Sequence, residues 1–524
     1  MYIAHSVSAR VERTTRTQSR AAYRGEDSVV GCGMKPGFSK LWIVLPLATA
    51  LLSCSLPKKT NGGGGGGGST STLNLLFVAI PPAPPESTSI LSFSAAISGI
   101  TLTPATGTAV NVPINATTYV VEFTRLQSDS AFVASASVPA GTYNSIQVAF
   151  SSAVVTFCTQ PTPGVAGCSP GSLAQISGAA AQPSVTFSPA LTLVANQFTG
   201  LALQLNMANA FTISSAQPQV ISKVDLAASN VLSVATLPPA KSSLAVNQLD
   251  FVEDVTGVVT SANNSAQSLT IQTASRGPIT ATANSSTVFS PLCATPTFAG
   301  CVAQNSTANA DLAFNSNGTF TVLEYEPFDS IPDDIIEGVV TSVPVDSTHI
   351  QIVTTDFNLA TANSLLRGKI NIGDPVNVTI ALPAGSAGFQ IDSKGLFVPA
   401  NTFQGSTDAS AMVPGQTVAL LVTAFTAKSG STPAAATVSG VVLRFSRDSA
   451  SVSSVSSPFV TLNGFAPYLG IAATAQGEVT SGVTSYDGAI VLTDLNSGDA
   501  ISVRALYFGT RVTPPFSLAK IRRH

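Results

Sequence analysis

"EDVTGVVTS" runs from Glu253 to Ser261, and "DIIEGVVTS" runs from Asp334 to Ser342, 81 residues further on. Near-copies at a fixed distance mark a structural unit that the chain builds more than once. Each is followed by a stretch in which apolar and polar residues alternate, "SLTIQT" (Ser268 to Thr273) and "HIQIVTT" (His349 to Thr355). Alternation with period two places one face of a strand on a core and the other in water. "TVSGVVLRFS", starting at Thr437, reads as a third and weaker copy. Glycine-led strands recur later in the units: "GDPVNVTI" from Gly373, "GQTVALLVTAF" from Gly415 and "GDAISVRALYF" from Gly498. The pattern predicts three tandem small β units over residues 248–327, 333–427 and 435–517. Only "NLATANSLLR" (Asn358 to Arg367) reads as helical.

Ahead of the repeats, residues 72–237 alternate in the same way. Leu91, Phe93, Ala95 and Ile97 share one face of a strand; so do Ile146, Val148 and Phe150, and Leu201, Leu203 and Leu205. Paired sheets with one buried and one wet face make a β-sandwich. The expectation is an all-β chain, an N-terminal β-sandwich followed by tandem small β-barrel or β-sandwich units. Composition agrees: 44% of the 524 residues are hydrophobic and only 10% charged, with 40 Gly and 33 Pro as punctuation. From Cys54 onward there are 17 basic and 24 acidic residues with no basic cluster, which argues against a nucleic-acid partner.

Residues Leu41 to Leu52 form an apolar run too short for a spanning helix, which needs about 20 residues. It has the length of a signal-peptide core, preceded by Lys35 and Lys40. The run ends in Leu51-Leu52-Ser53-Cys54, which resembles the lipobox of bacterial lipoproteins. That resemblance implies cleavage after Ser53, lipidation of Cys54 and attachment to the membrane through the lipid. An ordinary signal peptide with an incidental cysteine is the alternative. Residues 34–53 are then the signal peptide, and residues 54–71, with seven glycines from Gly62 to Gly68, a flexible tether. Residues 1–33 read as an upstream extension from a misassigned start, Met34 opening a normal leader; an Arg-rich organelle transit peptide is the rival reading. Ser55 in place of an aspartate favours the outer membrane.

"SVPAGTYNSIQVAF" (Ser137 to Phe150), with "FTGLALQLNMANAF" and "VDLAAS" after it, resembles an uncharacterised domain family of bacterial surface lipoproteins with a V-P-A-G-x-Y hairpin and a transthyretin-like sandwich. The G-V-V-x-S opening with a later G-D-x-V-x-V strand resembles an uncharacterised family of small OB-like barrels in exported proteins. Both resemblances imply a fold, and neither supplies an activity.

Four cysteines fall in local pairs, Cys158 with Cys168 and Cys293 with Cys301. In an exported chain such pairs read as disulfides. Metal binding is the alternative, but neither spacing is that of a zinc knuckle and no histidine is near. Closing a ten-residue loop contributes about 2.7 kcal/mol by the chain-entropy relation.

Catalytic chemistry finds little to stand on. Gly167-Cys168-Ser169-Pro170-Gly171 matches G-x-S-x-G, but no helix pattern follows it and Cys168 is assigned to a bridge. His349 lies in an alternating strand, and His524 ends what reads as a basic tail, Lys520 to His524. The acidic stretch "LEYEPFDSIPDDIIEG" makes Asp329, Asp333, Asp334 and Glu337 weak calcium candidates, with solvated linker acids as the plainer reading. Trp42, the only tryptophan, lies in the leader, which excludes a tryptophan-platform glycan module but leaves a polar-groove binder open. No cofactor is implied. The expectation is a non-enzymatic, lipid-anchored envelope protein, a surface binding module or spacer with an envelope protein or polysaccharide as partner. The alternative is an envelope enzyme of hydrolase type with a dispersed carboxylate site.

Overall fold

A computed structural model describes residues 69–84, 88–114, 119–159, 165–169, 171–214, 220–236, 250–273, 277–290, 293–314, 319–328, 333–360, 363–487 and 491–524. The leader, Cys54, most of the tether and Asp329 lie outside the described residues. The rest is almost entirely strand, as the alternation and the composition require.

The first domain is a β-sandwich. One sheet has the order Leu232–Thr236, Phe198–Asn206, Thr70–Ile80, Ala131–Pro139; the other is built on Ser89–Pro104 and Gly141–Cys158, flanked by four shorter strands. Ile146, Val148, Phe150, Leu201, Leu203 and Leu205 all enter the core between the sheets. Phe93, Ala95 and Ile97 do too, but Leu91 does not. A register shift between Ile90 and Ser92 turns Leu91 outward into the core of the last domain. The V-P-A-G-x-Y stretch is a crossing between sheets rather than a hairpin, since Ala131–Pro139 and Gly141–Cys158 belong to different sheets. Tyr143 fastens this corner, buried at 2% exposure and donating its hydroxyl to Pro139 O at 2.7 Å.

Three barrels follow, each with one wiring. The first strand pairs antiparallel with the second and fourth, the third with the second, the fourth with the fifth, and the third closes onto the fifth in parallel. A fragment of two or three residues adds to the fifth strand. This is the five-stranded Greek-key barrel of OB type. The first strands are Asp250–Asn263, Asp334–Val340 and Ser446–Ser456; the fifth strands are Phe320–Phe328, Ala434–Arg444 and Phe516–Arg523.

The repeated G-V-V has a steric origin. Gly257 and Gly338 sit where the first strand curls against the second. A Cβ on Gly257 would overlap Gln272 O, and one on Gly338 would lie 2.6 Å from Val353 O. Gly440, in the weaker third copy, has only the Leu421 side chain near it, at 3.3 Å. That copy is the fifth strand of the second barrel, so the second barrel extends to Arg444 and the third begins at Ser446, correcting the boundaries 427 and 435. The third barrel likewise extends past residue 517: Lys520 and Arg522 belong to its closing strand, 2% and 6% exposed, and are no tail. Asn358 to Arg367 is not helical; beyond Asn358 the described part is loop.

The domains share buried surfaces. Leu76 and Phe132 on the outer face of the sandwich join the core of the first barrel, with Phe132 edge-on to Phe320 at 5.1 Å. Strand Thr70–Ile80 is therefore covered on both faces, which explains its unbroken apolar run LLFVAI. Leu506 and Phe508 of the third barrel enter the core of the second. Both disulfides are closed. The loop tied by Cys158–Cys168 reaches into the seam between the second and third barrels, where Gly167 N donates to Tyr468 O and Cys168 N to Thr341 O, both at 2.6 Å.

Candidate functional site

In a chain this poor in charge, the ionised side chains gather at the seams. Between the sandwich and the second barrel, the short turn Arg125–Gln127 carries Arg125 to Asp356, at 2.6 Å, with Glu337 at 3.7 Å. Between the sandwich and the third barrel, Arg447 Nε donates to Asp129 Oδ2 at 3.0 Å, and Arg504 lies 3.8 Å from Asp129. Arg522 spans the same seam. Its Nη1 donates to Leu126 O and Asp129 O at 3.1 and 2.9 Å, its Nη2 to Ser130 Oγ at 3.0 Å, and its Nε to Asp487 Oδ2 at 2.6 Å.

A cleft of about 270 Å³ lies between the sandwich and the second barrel. Tyr119, Arg125 and Ser130 line it from the sandwich side; Asp356, Phe357 and Asn358 line it from the end of the barrel's second strand. The rings of Tyr119 and Phe357 are half-buried, each packed on its own domain's core. Glu122 lies at the base with its carboxylate fully engaged, accepting from Phe93 N at 2.6 Å, Thr124 Oγ1 at 2.6 Å, Arg125 N at 2.9 Å and Ser92 Oγ at 3.2 Å. Burial nevertheless raises its pKa, against the pull of those donors. Asn358 is 4% exposed, and its side-chain Nδ2 has no hydrogen-bond partner.

The structure separates the three calcium candidates among the described residues, Asp333, Asp334 and Glu337. Asp333 is exposed. Asp334 is buried and accepts from Ala360 N and Ser364 Oγ, both at 2.7 Å, from Leu366 N at 3.3 Å and from Leu365 N. Glu337 faces Arg125 and Arg447 instead. Asp334 thus organises a loop and has no lone pairs to spare for a cation. Among the described residues no group of three or more His, Cys, Asp or Glu side chains has metal-holding geometry. The G-x-S-x-G serine sits in a turn beside the bridged Cys168, its carbonyl accepting from Ser172 N. His349 pairs with Asp346 on the surface. His524 Nε2 and Ser502 Oγ are 2.7 Å apart, but Ser502 is fully buried.

A third ionic seam joins the first two barrels: Lys394 of the second lies 3.5 Å from Asp311 and 3.6 Å from Glu324 of the first. Beside it, within the second barrel, Arg444 pairs with Asp392. Glu326, on the same face of the first barrel, is 5% exposed; burial and then the charge of Glu324 push its pKa from 4.5 to about 8, with Asp311 adding to the rise and Lys394 and Arg444 opposing it. The folded state therefore holds a proton that the unfolded chain releases above pH 4.5. This contribution to stability is complete below that pH and is lost as pH rises to about 8, by at most roughly 1.4 kcal/mol per unit. Glu326→Gln is expected to remove roughly 3–4 kcal/mol of the pH dependence between pH 5 and 8, read from urea unfolding of variant and parent at each pH.

No family model matches the chain, and no curated protein does. Among solved structures it is similar to the crystal structure of a multidomain protein with nucleic acid binding domains from Streptococcus pneumoniae TIGR4. That likeness covers 52% of this chain and 73% of the other at 9% identity, with a TM-score of 0.12.

Proposed function

We propose that this chain is a lipid-anchored protein of the bacterial outer membrane whose fused β body binds a partner at the cell envelope and holds it clear of the membrane. The observation that carries this reading is the order of features along the chain: a lipobox at Cys54, a run of seven glycines, then a body with two disulfides. Disulfides suit an oxidising compartment, and a glycine tether lets a folded body stand off a surface. The seams support a body that moves as one piece, since the sandwich is pinned to the second barrel by a partly buried ion pair and to the third by a buried one.

The cleft gives the hydrolase alternative its one favourable observation, the carboxylates Glu122, Asp129 and Asp356. Glu122 is committed to four donors, Asp356 to Arg125 and Asp129 Oδ2 to Arg447; Asp129 Oδ1 has no hydrogen bond but is paired with the Arg504 guanidinium at 3.8 Å, so none is placed to give or take a proton on a substrate. Binding is the better-supported use of the site. Cys54→Ala tests the anchor: the variant is expected to move from the membrane to the soluble envelope fraction and to lack acyl mass. Retention on membranes with unchanged mass overturns the anchored reading.

A further inference from the structure

We infer that the cleft between the sandwich and the second barrel is a binding site for a neutral, hydroxyl-rich ring, a single hexose or N-acetylhexosamine unit of a glycan. The inference deepens the binding reading above and is independent of the lipid anchor.

Two features of the walls point to this ligand class. Planar polar groups converge, the guanidinium of Arg125, the carboxylate of Asp356 and the amide of Asn358, and flat groups of this kind match adjacent hydroxyls with paired hydrogen bonds. The rings of Tyr119 and Phe357 add flat apolar area at low entropic cost, suited to the C–H face of a sugar. A site where two domains meet, mostly pre-formed and with few polar anchors, has the usual anatomy of a small-ligand pocket.

Charge narrows the choice. Arg125 is paired with Asp356 and has Glu337 beside it, and Glu122 and Asp129 also border the cleft. The balance disfavours an anion, and of the carboxylate oxygens bordering the cleft only Asp129 Oδ1, 3.8 Å from Arg504, lacks a hydrogen bond, so a cation finds no open acceptor pair. Two polar atoms of lining residues have no hydrogen-bond partner, the donor Asn358 Nδ2 and the acceptor Asp129 Oδ1, both buried. A buried polar group left without a partner costs about 1–3 kcal/mol. A ligand hydroxyl or acetamido oxygen supplies the acceptor for Asn358.

Saturation-transfer NMR on the full chain, with maltotriose and triacetylchitotriose as neutral probes and trigalacturonate and trilysine as charged controls, tests this. At least one neutral trisaccharide is expected to bind with Kd on the order of 1 mM, and both charged probes to fail. Tyr119→Ala and Asn358→Leu are each expected to weaken binding at least about tenfold with unfolding midpoints close to the parent's. If Asn358→Leu proves unstable, Tyr119→Ala carries the test alone. Comparing mono-, tri- and pentasaccharides separates a free sugar, bound equally at every length, from a polymer, bound more tightly as length grows. Binding of neither neutral probe at about 10 mM, preference for a charged probe, or binding indifferent to the substitutions overturns the inference. None of these outcomes bears on the Cys54 experiment, so the two readings fail separately.

Discussion

Arg522→Ala is expected to destabilise the protein by about 3–5 kcal/mol, because it removes a buried guanidinium from three sandwich acceptors and hydrogen bonds to a charged group contribute about 1.5–3 kcal/mol each without being additive. The guanidinium makes four hydrogen bonds from the last strand, three of them to residues 126–130 of the sandwich. Truncation leaves the carbonyls of Leu126 and Asp129 with those acceptor sites unfilled inside the seam, while Asp487, 37% exposed, falls back on water and Lys520. Arg522→Lys keeps the charge but cannot reproduce the fork, so it is expected to recover less than half of the loss. Urea unfolding reports the magnitude, and proteolysis timed at the 123–131 segment reports whether sandwich and third barrel part before global unfolding.

Asp334→Ala is expected to cost a similar amount, about 3–5 kcal/mol, by a different route. One carboxylate accepts from three backbone amides and one hydroxyl between Ala360 and Leu366. Hydrogen bonds to a charged group contribute about 1.5–3 kcal/mol each and are not additive when they share an acceptor. Asp334→Asn keeps one acceptor oxygen and should fall between. Amide hydrogen exchange at Ala360, Leu365 and Leu366 is expected to accelerate in both variants, while Val376 and Val418 in the same barrel stay protected at the level set by global stability.

Much of the architecture was legible because it follows from alternation and from steric need. The glycine of G-V-V marks a close backbone crossing, and two of three barrels announce themselves by it. The third copy misled because Gly440 answers to no such crossing; the same three letters arise in a closing strand. The first strand of the third barrel, Ser446–Ser456, is rich in serine and has no glycine, so nothing local distinguished it. Asn358 to Arg367 has helical composition, but the acceptor that shapes its loop lies about 30 residues earlier, at Asp334, beyond any local pattern.

The cleft was harder to read. Tyr119 stood among six scattered tyrosines, and Arg125, Asp356 and Asn358 belong to two domains more than 200 residues apart. One signal was present. Arg444, Arg504 and Arg522 each interrupt an otherwise apolar strand, as in "VVLRF", "VRALY" and "AKIRR". In a chain with 10% charged residues, an arginine inside a strand that must be buried calls for acceptors to answer it: Asp129 of the sandwich for Arg504, three sandwich oxygens and Asp487 for Arg522, and Asp392 of its own barrel for Arg444. Reading those positions as seams, and the last of them as something other than a tail, would have located the interfaces though not the cavity they leave.

The loop closed by Cys158 and Cys168 has a consequence for the order in which the protein matures. Both sulfurs are nearly inaccessible, at 1% and 6% exposure, and two barrels cover the loop that carries them. Thiol–disulfide exchange needs a thiolate to approach a sulfur directly. Oxidation is therefore expected to precede docking of the second and third barrels, while the sandwich is still open. Once the barrels have closed, a soluble thiol reaches the bond only after they lift away. The bridge is made early and then locked out of reach by the very domains whose seat it shapes.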